Sequence, residues 1–157
     1  MVLSIRGTLA DALESLDYLE ANDPPFSIRD WVQSPVQDSC LFIAASTSQR
    51  ESLRPLMSAW LSIAVKSLMQ QGSDLSRRVW FIIDELASLN KVPTLSLGLS
   101  ESRKYGGCFA LAFQDLNQLD SLYGATDAKT LCNLMGTKLV FRLKNTAAKQ
   151  IAPLFGN

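Results

Sequence analysis

Asp84 and Glu85 stand side by side at the end of a run of five apolar residues, "VWFIIDE" from Val79 to Glu85. An aspartate held at a strand end can bind Mg²⁺ directly or through water. A neighbouring glutamate, pointing the other way, can orient and deprotonate a water that attacks a phosphate. The pair also fits a plainer role, with Asp84 capping the next segment and Glu85 a favourable first-turn charge. Gln114 ends the next apolar run, "GGCFALAFQ", where an amide could sense a γ-phosphate or position the water. Arg103 stands eleven residues before Gln114, at a helix end where a cation also satisfies the helix dipole without any catalytic role.

Other chemistries are narrowed by what the 157 residues lack. There is no histidine, which removes Ser-His-Asp and Cys-His catalysis and most zinc chemistry. Cys40, Cys108 and Cys132 are widely spaced and form no CxxC, so neither a disulfide framework nor a zinc site is expected, and a reducing setting fits best. Fifteen basic residues balance fifteen acidic ones, which gives no support to binding nucleic acid by bulk electrostatics. Trp31, Trp60 and Trp80 accordingly read as core or interface packing rather than base-stacking platforms. Arg6, Asp11 and Glu14 interrupt any signal-peptide run, and the most apolar helical window, Pro55 to Val65, is too short to cross a bilayer. The chain is expected to be soluble.

The elements that must position these residues follow from periodicity. Ile5, Leu9, Leu13, Leu16 and Leu19 recur at three- and four-residue spacing and predict an amphipathic helix from Leu3 to Ala21, broken by "NDPP". Ser27 with Asp30 caps a short helix through Trp31, and the loop from Ser34 to Ser39 marks a subdomain boundary. "CLFIAAS", Cys40 to Ser46, predicts a buried strand. A helix from about Leu53 to Gln71 follows, capped by Ser48 or Ser52, with Pro55 in its first turn and apolar residues nearly all round. Then come a strand at Val79 to Asp84, a helix from Val92 to Lys104 and a strand from Gly106 to Phe113. Helical or looped segments reach Gly136, a strand runs from Thr137 to Leu143, and a last helix opens at Asn145 and Thr146. Four apolar strands separated by helices predict an α/β fold with a parallel sheet covered on both faces. Ligands of such sheets lie at the carboxyl ends of the strands, at or near which Asp84, Gln114 and Arg142 lie.

Apolar residues closing in Asp-Glu match the Walker B strand of P-loop ATPases, a weak motif alone. The longer run from Arg77 to Arg142 resembles the nucleotide-binding domain of conjugative type IV coupling proteins, the TraD/VirD4/TrwB family. The resemblance rests on the Asp-Glu pair, the spacing from "RKYG" to Gln114, "QLDSLYG", and the Asn-x-x-x-Thr-Lys segment before the last strand. It is strongest to the TraD branch, extends upstream through "SIRDWV" and "WLSIAVKSL", and so covers almost the whole chain.

The resemblance implies a RecA-like P-loop NTPase fold, three layers with a mostly parallel sheet flanked by helices. It further implies a hexameric motor on the cytoplasmic face of the bacterial inner membrane. Such a motor hydrolyses ATP with Mg²⁺ to move single-stranded DNA and its attached relaxase from the relaxosome toward a type IV secretion channel. By the same resemblance Asp84 would serve Mg²⁺, Glu85 the attacking water, Gln114 the γ-phosphate, and Arg103 a neighbouring subunit's nucleotide as an arginine finger. Residues 1–33 would close an inserted all-α domain, and residues 34–157 would form the C-terminal part of the nucleotide-binding domain.

No G-x-x-x-x-G-K-[ST] occurs in the sequence. Without the backbone nest and lysine that hold the β- and γ-phosphates, Asp84 and Glu85 have little nucleotide to act on. The chain is therefore expected to be the Walker B part of a longer protein, inactive alone, without tightly bound ATP, and self-associating through surfaces the missing half would cover. A non-catalytic interaction module is the alternative class. A fragment of another ATPase, FtsK/HerA-like or VirB4-like, is the other, weaker because "QLDSLYG" and "FSIRDWV" favour TraD.

Overall fold

A computed structural model describes residues 13–20, 24–35, 38–141 and 151–152. Among them the order is α1 (Ile28–Gln33), α2 (Arg50–Met69), β1 (Val79–Ile83), α3 (Thr94–Glu101), β2 (Gly107–Leu111), α4 (Leu116–Tyr123) and α5 (Ala125–Leu134). Short 3₁₀ turns occupy Ser15–Tyr18, Leu86–Ser88 and Ser102–Tyr105. None of the described helices is long and apolar enough to cross a membrane.

β1 and β2 are parallel neighbours, joined through α3 as parallel strands require. Their register sets Val79 opposite Gly107, Phe81 opposite Phe109 and Ile83 opposite Leu111. Side chains alternate along a strand, so Phe81 and Phe109 share one face and stack with centroids 4.7 Å apart. α2 and α3 cover that face. Leu61, Ala64, Val65 and Leu68 of α2 join Val79, Phe81 and Leu95 in one core. Gly98 marks the closest approach of α3, because a Cβ there would lie 2.9 Å from Val65 Cγ1 and 3.1 Å from Phe109 Cζ. The opposite face is open, with Trp80 60% and Ile82 75% exposed opposite Cys108 and Ala110.

Polar contacts pin the remaining helices to this core. Ser27 caps α1 as expected, its hydroxyl accepting from Asp30 N at 3.2 Å, and Gln33 Nε2 reaches the carbonyl of Ser67 in α2. Tyr123 ends α4 inside the core, where its hydroxyl meets Val92 N at 3.4 Å and burial pushes its phenol up. Lys91 bridges to the carbonyl of Tyr123 and to Asp127 of α5, at 3.2 and 2.8 Å.

The α/β class with parallel strands stands, and several expected elements do not. Two strands form among the described residues instead of four, with helices on one face of the pair. The expected strand at Cys40–Ser46 has no regular structure, and Phe42 is 88% exposed. Thr137 to Phe141 is likewise irregular, with Leu139 and Phe141 exposed. Apolar composition makes these segments suitable for a sheet, but a strand exists only when its N–H and C=O groups find a ladder partner. The rest of that last strand, Arg142 included, and the opening of the final helix at Asn145 and Thr146 lie outside the described residues. So do residues 3–12 and 21 of the first expected helix, Leu3 to Ala21, while Ser15–Tyr18 forms a 3₁₀ turn. α2 begins at Arg50 with Gln49 as an N-cap that makes no side-chain cap bond, and Pro55 falls inside the helix.

Candidate active-site edge

The ladder between the strands continues one step past their last paired residues. Ala112 N donates to Ile83 O, and Leu86 N donates to Ala112 O, both at 2.8 Å. Asp84 and Glu85 are thus bracketed by two bonds to the same residue of the neighbouring chain segment. The bracket fixes their backbone against the end of β2, while buried Leu86 anchors the turn that follows.

The two carboxylates have different duties. Glu85, rather than Asp84, caps the Leu86–Ser88 turn: its Oε1 accepts from Ala87 N at 3.3 Å, and its carbonyl accepts from Ser88 Oγ at 2.7 Å. Asp84 is exposed and, among the described residues, makes no side-chain hydrogen bond or ion pair. The plainer expectation that Asp84 serves as the cap is therefore wrong, because Glu85 already supplies the acceptor the turn needs.

Gln114 follows Ala112 by two residues, so the parallel register brings it to the same edge as Asp84 and Glu85. It too is exposed and makes no side-chain bond among the described residues. Asp115 beside it caps α4 by accepting from Asn117 N at 2.9 Å. Sequence reasoning did not single out Asp115; its position just before the helical run "LNQL" was the available signal. A groove of about 410 Å³ runs beside β1 to this edge, lined in part by Ile43, Trp80, Ile82, Asp84, Glu85 and Ser88.

No cluster of three or more metal-ligating side chains occurs among the described residues. Mg²⁺ keeps several waters and takes one or two carboxylates together with substrate phosphates. An exposed, unengaged carboxylate at Asp84 fits such a ligand.

Arg103 lies elsewhere. It sits in the Ser102–Tyr105 turn that leads into β2, at the N-terminal edge of the strands. The five-residue strands place roughly 16 Å between that edge and Asp84. The structure thus brings three of the four expected site residues together and sets Arg103 apart from them.

The N-terminal edge is tightly bonded. Lys104 O accepts from Asp74 N at 3.0 Å and from Ser73 Oγ at 2.8 Å. Asp74 Oδ1 accepts from Ser76 Oγ, Ser76 N and Arg77 N, and these bonds, the Ser76 hydroxyl foremost, hold its carboxyl below the usual carboxylate range. Gly106 adopts φ +81°, and a Cβ there would fall 2.3 Å from Arg77 O, so this position admits only glycine. Lys104 pairs with Glu101 at 3.3 Å and lies over the Tyr105 ring, and the Glu101 bond raises its pKa.

Known proteins share this sequence and arrangement. Residues 1–157 match the family described as the type IV secretion-system coupling protein DNA-binding domain. Coupling protein TraD of Escherichia coli (strain K12) is 40% identical over 146 residues, covering 89% of this chain and 20% of that protein. Conjugal transfer protein TraG of Rhizobium radiobacter is 27% identical over 88 residues, covering 56% of this chain and 14% of that protein. Among solved structures, the unbound bacterial conjugative coupling protein TrwBdeltaN70 superimposes with a TM-score of 0.66 at 38% identity, covering 70% of this chain and 26% of that one. Plasmid coupling protein TrwB in complex with ADP and Mg²⁺ gives 0.64 at 40% identity, covering 68% and 25%. The chain spans about a fifth of the length of TraD and about a quarter of the TrwB chains it matches.

Proposed function

The chain belongs to the type IV secretion-system coupling protein family, and from that premise we propose that it carries the Walker B half of a nucleotide-hydrolysing DNA motor. Asp84 holds Mg²⁺, Glu85 activates the attacking water, and Gln114 reads the γ-phosphate. Bound Mg²⁺ would neutralise developing phosphate charge. Arg103 acts as an arginine finger on the nucleotide of a neighbouring copy. The observation that carries this reading is the bracket around Asp84 and Glu85, which fixes their backbone beside Gln114 while leaving the Asp84 carboxylate unengaged.

The motor hydrolyses ATP and moves single-stranded DNA, with its relaxase, from the relaxosome to the secretion channel. It does so as a hexameric ring at the cytoplasmic face of the inner membrane. TrwB, a solved relative, binds ADP and Mg²⁺, which supports the nucleotide assignment. The phosphate-holding loop is not among these 157 residues, so the chain alone is inactive and binds nucleotide weakly. Residues 1–33 belong to the end of an inserted helical domain and residues 34–157 to the nucleotide-binding domain. In the complete fold the other half packs on the face exposing Trp80 and Ile82, and copies of the isolated chain self-associate there.

In the complete coupling protein, Glu85→Gln should lower ATP turnover by about 100-fold or more while nucleotide still binds. Unchanged turnover would remove Glu85 from catalysis. A non-catalytic interaction module is the second reading, favoured by the open apolar face. It predicts that Asp84→Ala and Glu85→Gln leave DNA transfer intact.

A further inference from the structure

Arg103 combines a fixed base with a free tip. Its own carbonyl accepts from Gly106 N at 3.1 Å, and the next carbonyl, that of Lys104, accepts from both Asp74 N and Ser73 Oγ. Those two donors come from the loop that connects α2 to β1. The loop is itself fixed, because Asp74 Oδ1 accepts from Ser76 Oγ at 2.6 Å, Ser76 N at 2.8 Å and Arg77 N at 3.3 Å. Gly106 closes the arrangement, with Arg77 O filling the space a Cβ would take. The Arg103 side chain, by contrast, is exposed and makes no hydrogen bond or ion pair among the described residues, whereas adjacent Lys104 is tied to Glu101.

We propose that Ser73 and Asp74 are positioning residues for Arg103: they lock the backbone from which its guanidinium reaches a phosphate held by a neighbouring copy. The inference rests on the proposed function, in which Arg103 acts between copies, a role compatible with its separation from Asp84 of its own chain. A charge that must meet a developing transition state gains from a preset base, since an error of about 1 Å can cost two orders of magnitude in rate. The loop also opens directly into β1, so the strand that ends in one copy's carboxylate pair begins in the clamp that aims its arginine at the next.

The test is a double-mutant cycle on ATP hydrolysis in the complete coupling protein. Asp74→Ala should lower kcat about tenfold with KM for ATP unchanged. Asp74→Asn, which keeps an oxygen acceptor for Ser76 and Arg77, should restore most of it. Combining Asp74→Ala with Arg103→Ala should give the kcat of Arg103→Ala alone, because the clamp acts only through that arginine. If the two losses multiply while Arg103→Ala is itself impaired, the clamp acts on something else and the inference is overturned. If Arg103→Ala keeps full kcat, the reading of Arg103 fails first and takes the inference with it. Ser73→Ala, which removes one donor and leaves the Asp74 turn, carries the same cycle if Asp74→Ala does not fold.

Discussion

At the start of β1 and β2, Ser73, Asp74, Lys104 and Gly106 are tied together by side-chain and backbone bonds with no room for an added methyl group. At the ends of the same strands, Asp84 and Gln114 are exposed and bond to nothing among the described residues. The backbone there is secured through Ala112, and the Glu85 carboxylate is engaged in capping the Leu86–Ser88 turn. The first edge uses most of its polar side chains to hold the chain, Arg103 excepted, whereas the second leaves the side chains of Asp84 and Gln114 unengaged. Two unengaged polar side chains at one edge are compatible with an ordered fold because the opposite edge is bonded tightly.

The comparison can be broken most sharply at Gly106. Gly106→Ala forces a Cβ into Arg77 O at a positive φ and should cost about 3 kcal/mol, read from urea unfolding. A loss below about 1 kcal/mol would show that the tight edge yields easily. Acid comes next. The folded carboxyl of Asp74 sits below its unfolded value, so its stabilisation is present above about pH 4 and fades as pH falls through the lower folded pKa. Asp74→Ala should therefore flatten part of the acid limb of stability against pH, and an unaltered limb would refute the assignment. The smallest effect belongs to the other edge, where Asp84→Asn and Gln114→Ala should each change stability by less than about 0.5 kcal/mol. A larger change would mean that these side chains support the fold.

Local pattern was legible wherever the partner lay close in sequence. "VWFII" and "GCFAL" became strands because α3 returns the chain beside itself, and Ser27 capped its helix because the acceptor and donor are three residues apart. "CLFIAAS" and "TKLVF" are also rich in apolar residues but have no ladder partner among the described residues, and composition cannot supply one. The meeting of Asp84, Glu85 and Gln114 followed from strand ends, whereas the division of labour between the two carboxylates did not. It depends on the backbone turning at Glu85, with φ −138° and ψ 94°, so that its own side chain reaches Ala87 N. The clamp on Lys104 was also hidden, since Ser73 and Asp74 lie about thirty residues away in sequence.

Trp80 stands on the uncovered face of β1, opposite Cys108, while Trp31 and Trp60 are only partly exposed. Its indole therefore gives the chain an internal optical gauge. Emission from a wetted indole is red-shifted and open to collisional quenching by acrylamide, and both properties diminish when another surface seats against the strand. The tryptophan that reads from sequence as simple packing thus reports, without any attached label, how completely the sheet has found its cover.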